Sequence, residues 1–201
     1  MAKLYFRYGA MNSGKSTALM QVAHNYEEQG MRVLILKPKV DTKGSGDLVS
    51  RLGVRRPADL LVPPDMDLVE AVRAASSEGR PLACVLCDES QFLTAEQAEQ
   101  LFMVTVELNI PVICYGLRAD FKGDLFPGSE ALLVMADKIE EVKTICWCGK
   151  KAAFNARFDG QGRVVKEGEQ VVLGANDRYT SLCRRHWMAG DLGPDFDIHK
   201  V

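Results

Sequence analysis

The chain contains 201 residues, enough for one α/β domain and a small additional unit, since domains commonly span about 100–200 residues. Apolar residues make up 47% of the sequence and charged residues 26%, as in ordinary globular proteins. The 25 Lys and Arg against 27 Asp and Glu leave a net charge of -2, whereas a dedicated nucleic-acid-binding protein carries a basic surplus for its phosphate contacts. We therefore expect no nucleic-acid partner.

The N-terminal residues lack the apolar run of a signal peptide, and no stretch of about 18 apolar residues follows. We therefore expect a cytoplasmic protein with no membrane partner. Thiols stay reduced in that compartment, so the six cysteines are expected to be core residues, nucleophiles or metal ligands rather than disulfides. Cys84, Cys87 and Cys114 lie in apolar runs, which predicts that they are buried in strands.

Strands and helices alternate in the first two thirds of the chain. Apolar runs predict strands, and a 3.6-residue apolar period or a cap predicts helices. The predicted strands are 4–8, 32–37, 82–87 and 112–115, and the predicted helices are 15–29, 67–79, 95–108 and 129–136. Thr94 and Gln97 predict a capping box, Ser129 is the predicted N-cap of the last helix, and 40–57 is predicted to be a polar, mobile loop. This alternation predicts a parallel sheet covered by helices.

The sequence pattern changes near Ile145. Two alternating segments flank the turn at 159–162, which is typical of a β-hairpin rather than of another strand–helix unit. We therefore predict two domains, residues 1–144 with the parallel sheet and residues 145–201 with the hairpin.

Residues 9–16 read GAMNSGKS and match the pattern G-x-x-x-x-G-K-[ST] between a predicted strand and a predicted helix. Glycines allow several backbone N–H groups to face a polyphosphate, and the helix N-terminus adds positive potential. Lys15 can then reach the β- and γ-phosphates of ATP, and Ser16 can offer its hydroxyl to Mg²⁺. The predicted ATP-binding residues of this loop are Gly9, Ala10, Met11, Asn12, Ser13, Gly14, Lys15 and Ser16.

Two carboxylates, Asp88 and Glu89, follow the third apolar strand. In P-loop proteins an acidic residue at this position faces the phosphate loop and holds Mg²⁺, a role that fits Asp88. Glu89 can turn toward the γ-phosphate and activate either a water, as in an ATPase, or a substrate hydroxyl, as in a kinase. The pair by itself leaves both reactions open.

Four soft ligands form two pairs near the C-terminus, Cys146 with Cys148 and Cys183 with His186. Three thiolates and an imidazole complete a closed tetrahedral zinc site with no position for water, which predicts a structural metal. One residue rather than the usual two separates Cys146 from Cys148, and His186 stands where a cysteine is commoner. A metal would hold together a segment too short to build a large core.

Together these motifs resemble the type II thymidine kinases, a zinc-containing family. The matching segments are GAMNSGKST (9–17), DESQF (88–92), YGLRADFKGDLFPGS (115–129), CWCGKKAAFNARF (146–158) and YTSLCRRHW (179–187). The resemblance covers nearly the whole chain, and the order and spacing of the motifs carry it. It implies an α/β fold with a P-loop, RecA-like parallel sheet flanked by helices, and a small C-terminal zinc-binding β-hairpin or lasso domain.

The resemblance implies that the γ-phosphate of ATP moves to the 5′-hydroxyl of thymidine, and of deoxyuridine, in nucleotide salvage for DNA synthesis. It implies that the nucleotide and magnesium site is completed by Asp88, Glu89, Ser90 and Gln91, with Glu89 as the catalytic base. Arg51 resembles the arginine that the family brings near the transferred phosphate. A homotetramer and feedback inhibition by the end-product triphosphate are also implied.

The resemblance further assigns the residues that hold the nucleoside. The thymine pocket would be lined by Met11, Phe92, Leu117 and Phe121. A lasso loop would hydrogen-bond the base edge through Gln170, Val171, Val172, Leu173 and Gly174. Tyr179 would close over the nucleoside, and the zinc ligands would be Cys146, Cys148, Cys183 and His186.

Two other functions remain open on the residues alone. A nucleic-acid-stimulated ATPase would use the same loop and carboxylates, with a zinc ribbon to grip DNA, although the net charge of -2 argues against it. A non-catalytic nucleotide sensor would use the zinc unit as a partner surface, although the intact Lys15, Asp88 and Glu89 argue against that. Arg184 and Arg185 are predicted to be surface charges.

Overall fold

The computed structural model describes residues 1–40, 46–171 and 178–198. In chain order its elements are β1 (Leu4–Tyr8), α1 (Lys15–Glu28), β2 (Arg32–Pro38), β3 (Asp47–Val49), β4 (Arg55–Pro57), β5 (Leu60–Val62), α2 (Leu68–Ser77), β6 (Leu82–Cys87), a 3-10 turn (Ser90–Phe92), α3 (Ala95–Glu107), β7 (Val112–Gly116), α4 (Pro127–Met135), β8 (Lys138–Glu141), β9 (Thr144–Ile145), β10 (Lys151–Ala152), β11 (Phe154–Phe158), β12 (Val164–Val165), β13 (Arg178–Leu182) and α5 (Arg184–Ala189).

A six-stranded sheet forms the centre of the molecule, in the order β5-β2-β6-β7-β1-β8. Every neighbouring pair in it is parallel, as the alternation of strands and helices predicted. The carboxyl ends of β1, β6 and β7 therefore meet at one edge, which is where parallel sheets bind ligands. The strand β7 lies between the strand that leads into the phosphate loop and the strand that ends before Asp88.

Helices cover both faces of this sheet. On one face α1 packs through Leu19 and Ala23, and on the other α3 and α4 pack through Leu101 and Leu132, all fully buried. Strand residues alternate between the two layers, so a central strand must be apolar on both sides. Truncation of a fully buried leucine such as Leu101 to alanine costs about 2–5 kcal/mol. Both layers therefore hold the carboxyl edge of the sheet in position.

The three cysteines in the apolar runs, Cys84, Cys87 and Cys114, have no exposed surface. They lie in β6 and β7, which confirms that they are core residues.

Of the two caps predicted from the sequence, one is confirmed. Asp67 caps α2, and Thr94 and Gln97 form the predicted capping box of α3. The prediction for Ser129 was wrong, because α4 begins at Pro127, whose fixed φ suits the first helical position. Ser129 lies inside the first turn, and its hydroxyl donates to the Leu117 carbonyl at 2.6 Å.

The prediction of a plain loop over 40–57 was wrong for part of the segment, of which the structure describes 40 and 46–57. The strands β3 and β4 pair antiparallel there, and Leu48 is fully buried. The short strand β5 and the edge strand β8 were also missed. Three residues are too few for a clear alternation, and β8 is charged and largely exposed because it lies at the edge of the sheet.

Small antiparallel sheets follow the parallel one. The strand β11 pairs with β12 across the turn at 159–162, which confirms the predicted hairpin, and with β13 on its other side. The pair β9 and β10 and the short helix α5 complete this part. The division into domains 1–144 and 145–201 remains a prediction. Among the described helices, none has the length and hydrophobicity to span a membrane.

Candidate active site and metal centre

The phosphate loop joins β1 to α1 at the carboxyl edge of the sheet. Gly14 precedes the helix with φ of 83°, a left-handed conformation that glycine adopts at little cost. A Cβ on Gly9 would lie 2.4 Å from the Val142 carbonyl oxygen and 2.5 Å from Ser13 Oγ. Gly14 is therefore explained by its backbone conformation and Gly9 by the lack of space for a side chain. The free N–H groups at the start of α1 are suited to an anion.

Lys15 folds back over this loop. Its Nζ donates to the carbonyl oxygens of Gly9 at 3.2 Å and Ala10 at 2.9 Å. Burial lowers the pKa of Lys15 to about 8, although Asp88 and Glu89 attract the proton. Burial disfavours the charged ammonium form of Lys15, and the negative charges of a bound polyphosphate would stabilise that form.

The two carboxylates face the same loop from the end of β6. Ser16 Oγ donates to Asp88 Oδ2 at 2.9 Å, which places the two candidate magnesium-binding groups in contact. Burial raises the pKa of both Asp88 and Glu89, and Asp88 is only 3% exposed. Glu89 has φ of 48°, a left-handed backbone that costs about 1–3 kcal/mol in a residue with a side chain. Such strain is typical of functional positions.

The carboxyl end of β7 closes one side of the site. Gln91 Oε1 accepts a hydrogen bond from the Leu117 N–H at 3.0 Å, which joins the turn after β6 to the segment after β7. Gly116 lies between them, and a Cβ there would meet Ser90 Oγ at 2.7 Å and Gln91 Oε1 at 2.9 Å. Leu117 and the carboxylate turn are therefore positioned together.

Three of the predicted pocket aromatics make specific contacts. Phe121 is 1% exposed, and its ring centroid lies 6.5 Å from that of Tyr179. The Arg157 guanidinium lies 5.2 Å above the Phe121 ring. Phe92 instead packs edge-on against Phe126 at 5.8 Å. The structure therefore brings Phe121 and Tyr179 together, with Phe92 in a separate aromatic pair.

Met11 lies where the phosphate loop meets the hairpin sheet. Its N–H donates to Asn155 Oδ1 at 2.8 Å, and its carbonyl accepts a hydrogen bond from Ser181 Oγ. Asn155 Nδ2 donates to the Ala119 carbonyl at 3.1 Å. Asn155 and Ser181 were not predicted from the sequence. The sequence gives no local signal for them, because β11 and β13 contain other polar residues such as Arg157 and Thr180. In the structure they are buried, 5% and 8% exposed.

The lasso prediction is only partly within the described residues. Gln170 Nε2 donates to Asp120 Oδ2 and to the Leu125 carbonyl, both at 3.2 Å, so this side chain docks on the loop after β7. Val171 is described, whereas Val172, Leu173 and Gly174 lie outside the described residues.

The arginine prediction is not supported by a contact. Arg51 lies in the exposed turn between β3 and β4. Within the described part of the chain, no hydrogen bond or ion pair joins it to the phosphate loop.

The four predicted metal ligands come together. The Sγ and ring-nitrogen atoms of Cys146, Cys148, Cys183 and His186 all lie within 4.8 Å of one another. His186 Nδ1 is 3.4 Å from Cys146 Sγ and 3.5 Å from Cys183 Sγ, and the Cys148 and Cys183 sulfurs are 4.0 Å apart. Tetrahedral zinc with its usual bond lengths requires about 3.8 Å between sulfurs and about 3.5 Å between sulfur and nitrogen. The donor set and its spacing fit zinc.

Aromatic residues surround the metal centre. Trp147 stacks on the His186 ring with centroids 4.2 Å apart, and Trp187 stacks on Phe154 at 4.7 Å. Trp187 Nε1 also donates to the carbonyls of Phe121 at 3.1 Å and Asn155 at 3.0 Å. The metal centre is thereby linked to the candidate pocket. Arg184 and Arg185 are exposed, as predicted for surface charges.

A parallel sheet whose first strand enters a glycine loop, with a lysine and a serine at the start of the next helix and a buried carboxylate opposite, defines a P-loop protein. The contact of Ser16 with Asp88 is the arrangement that this class uses for phosphoryl transfer.

Comparison with known proteins identifies the family. The family model described as "Thymidine kinase" matches residues 2–187. The thymidine kinases of Salmonella typhimurium and Yersinia pestis are each 52% identical over 188 residues, which is 93% of this chain and 91% and 95% of theirs. That of Ruegeria pomeroyi is 49% identical over 196 residues, 96% of this chain and 98% of its own. The chain belongs to the thymidine kinase family and is a phosphotransferase.

Proposed function

We propose that this protein transfers the γ-phosphate of ATP to the 5′-hydroxyl of thymidine, and of deoxyuridine, to give dTMP for nucleotide salvage and DNA synthesis. Family membership supports the reaction. The main structural support for the position of the active site is that Lys15, Ser16 and the buried carboxylates lie together at one edge of the sheet.

In this proposal residues 9–16 bind ATP through backbone N–H groups. Lys15 leaves the loop carbonyls that it now contacts and pairs with the β- and γ-phosphates. Ser16 and Asp88 hold Mg²⁺, and Ser90 and Gln91 complete the site through the turn that Gly116 supports. The positive charges stabilise the phosphoryl oxygens as charge builds on them.

Glu89 acts as the general base that takes the proton from the nucleoside 5′-hydroxyl. Its backbone has a left-handed φ of 48°, an uncommon conformation for a residue with a side chain, and burial raises its pKa, which favours a general base. In this proposal the β3–β4 hairpin moves when substrates bind and brings Arg51, which lies in an exposed turn, to the transferred phosphate. Such closure would also exclude water and favour transfer over hydrolysis.

The nucleoside site lies between the phosphate loop and the hairpin sheet. In this proposal the base is lined by Met11, Phe92, Leu117, Phe121 and Tyr179. The ring contact of Phe121 with Tyr179 and the contact of Met11 with Asn155 of the hairpin sheet support it. Residues 170–174 supply backbone groups to the base edge, and the docking of Gln170 on Asp120 supports that placement. Backbone hydrogen bonds orient a neutral pyrimidine without a charged side chain.

Zinc is proposed as a structural ion bound by three thiolates and the His186 imidazole. It ties the pair β9–β10 to the start of α5 and so holds the domain 145–201 in shape. We also infer a cytoplasmic homotetramer, which the family resemblance supports. Light scattering coupled to size exclusion tests the assembly, and a monomer would contradict it.

Replacement of Glu89 by glutamine tests the chemistry. Glu89→Gln keeps the shape of the side chain but cannot accept the proton, so thymidine phosphorylation should fall about 10²–10⁴-fold. ATP binding, measured by calorimetry, should remain. Glu99→Gln, an exposed change on α3, is the matched control and should retain full turnover.

Two outcomes would contradict the proposal. Unchanged turnover in Glu89→Gln removes that residue from the role of base. ATP consumption that responds to oligonucleotides but not to thymidine would instead indicate a nucleic-acid-stimulated ATPase.

A further inference from the structure

Asp120 is a buried carboxylate in the segment after β7, outside the phosphate loop and the metal centre. Its side chain is only 1% exposed. Oδ1 accepts hydrogen bonds from the backbone N–H groups of Lys122 at 2.8 Å and of Gly123 and Asp124 at 3.0 Å each. The Asp120 N–H in turn donates to the Asp124 carbonyl at 2.9 Å. One carboxylate oxygen therefore closes the turn 120–124.

The second oxygen of the same carboxylate faces a distant part of the chain. Oδ2 accepts a hydrogen bond from Gln170 Nε2 at 3.2 Å, and the Lys122 ammonium lies 3.8 Å from it. Gln170 also donates to the carbonyl of Leu125, which forms a β-bridge with Ala119 across the turn. A buried carboxylate is stable only where donors surround it, and here both the turn and Gln170 supply them.

The turn also carries Phe121, a proposed residue of the thymine pocket. The Phe121 ring is 1% exposed and lies 6.5 Å from the ring of Tyr179. The Phe121 carbonyl accepts a hydrogen bond from Trp187 Nε1 at 3.1 Å. A Cβ on Gly123 would lie 3.5 Å from the Trp187 ring, so the turn packs against this indole. Phe121 directly follows Asp120, so the carboxylate fixes the backbone to which the ring is attached.

We propose that Asp120 is a positioning residue for the nucleoside, which fixes the turn that carries Phe121 and holds Gln170 against the same turn. The inference rests on the proposed function for the identity of the ligand, whereas the effect of Asp120 on the turn requires no substrate. Because Lys15 and Ser16 are held by other contacts, loss of Asp120 should weaken the binding of thymidine and leave the binding of ATP unchanged.

The indole N–H groups of the two tryptophans report on the turn in solution. Trp187 Nε1 donates to the Phe121 carbonyl, whereas Trp147 Nε1 donates to the carbonyl of Asp191, outside the turn. In Asp120→Ala the Trp187 indole signal of a nitrogen–proton correlation NMR spectrum should shift, and the Trp147 signal should stay. Asp120→Asn keeps an oxygen that can accept the three N–H groups, so it should keep the wild-type Trp187 signal.

Turnover measures the effect on the nucleoside. Asp120→Ala should raise KM for thymidine about tenfold, the effect of a lost contact in a hydrophobic pocket. Its kcat and KM for ATP should stay near the wild-type values, because binding lost equally from the ground and transition states appears in KM alone. Asp124→Ala removes an exposed carboxylate from the same turn and is the matched control, with an unchanged KM.

A double variant tests the contact between Asp120 and Gln170. Gln170→Leu should also raise KM for thymidine. Combined with Asp120→Ala it should add less than its own effect, since the two changes remove one shared contact. Asp120→Ser, which keeps one acceptor oxygen, replaces the alanine variant if that variant does not fold by circular dichroism.

The outcomes separate the two proposals. An unchanged KM for thymidine in Asp120→Ala overturns the role of Asp120, as does an unshifted Trp187 signal. An equal rise of KM for ATP overturns it too, because a purely structural carboxylate would affect both sites. A wild-type protein that does not phosphorylate thymidine overturns the proposed function, while the Trp187 signal still decides whether Asp120 fixes the turn.

Discussion

The Asn155 side chain accepts a hydrogen bond from the Met11 N–H at 2.8 Å, so a residue of the hairpin sheet holds the phosphate loop that follows β1. The two residues are 144 positions apart. Asn155 also donates to the Ala119 carbonyl, and its own carbonyl accepts from Trp187. One residue thus joins the phosphate loop and the segment after β7 through its side chain, and the neighbourhood of the metal centre through its backbone.

Replacement of Asn155 by alanine should leave the Met11 N–H and the Ala119 carbonyl without their partner. A buried polar group in that state costs about 1–3 kcal/mol, so the free energy of unfolding should fall by that amount. The affinity for ATP should fall as well, because Met11 belongs to the loop. Urea unfolding and calorimetry measure the two effects. Asn25→Ala, on the exposed face of α1, is the control and should change neither the free energy of unfolding nor the affinity for ATP. If both variants lose the same stability and affinity, the contact with Met11 contributes nothing.

Metal removal should unfold the hairpin part before the parallel sheet. Both tryptophans of the chain, Trp147 and Trp187, lie beside the metal centre, so their fluorescence reports on that region alone. We expect one zinc per chain, lost in Cys183→Ser with a red-shifted emission, because closed zinc sites contribute directly to folding. Cys84→Ala, in the core of β6, should keep its zinc. Metal content that is unchanged in Cys183→Ser would contradict the assignment.

Nucleotide binding should take up protons at mildly alkaline pH. The pKa of Lys15 is about 8 without ligand because the side chain is buried, so part of the population is neutral near pH 8.5. Phosphate charges favour the ammonium form and draw a proton from solution. Calorimetry of ATP binding in buffers of different ionisation enthalpy measures this uptake. It should vanish in Lys15→Met and persist in Lys39→Met; a proton count of zero for the wild type would refute it.

The same pKa sets a dependence of stability on pH. Because folding lowers the pKa of Lys15 below its unfolded value of 10.5, the unfolded chain binds the additional proton between pH 8 and 10.5. The contribution of Lys15 to stability therefore rises with pH across that window. Denaturant midpoints of wild type and Lys15→Met should converge as the pH increases. Midpoints that keep a constant separation would show that Lys15 is not perturbed.

A methyl group at Gly116 should displace the turn that carries the carboxylates. The Cβ would lie 2.7 Å from Ser90 Oγ and 2.9 Å from Gln91 Oε1, closer than real contacts allow, and 3.0 Å from the Gln91 backbone nitrogen. Gly116→Ala should therefore lose about 1–3 kcal/mol and most of its turnover. Gly160→Ala, where nothing lies within 4 Å, is the matched control. Comparable stability in the two variants would mean that the turn tolerates the displacement.

Local sequence signals predicted the parallel-sheet core with little error. The structure agrees with the predicted strands 4–8 and 82–87, because each is an apolar run of neighbouring residues. It also agrees with the Thr94 cap, because the partner of that side chain is only three positions away. Short strands such as β3 and β8 were missed, since so few residues carry no readable period. Ser129 was misassigned because a proline two residues earlier begins the helix.

The residue types of the site were also determined by the sequence. The sequence identifies a phosphate loop from its glycines and the acidic pair, and a zinc centre from four soft ligands. Phosphate and zinc binding require these side chains, so the assignment does not depend on the details of the fold. Only the tertiary structure decided that Asn155 and Ser181 hold Met11, that Lys37 donates to the Asp47 carbonyl, and that Arg51 lies exposed on a hairpin. Such relationships join residues distant in sequence through strand order and register, and no local spacing encodes them.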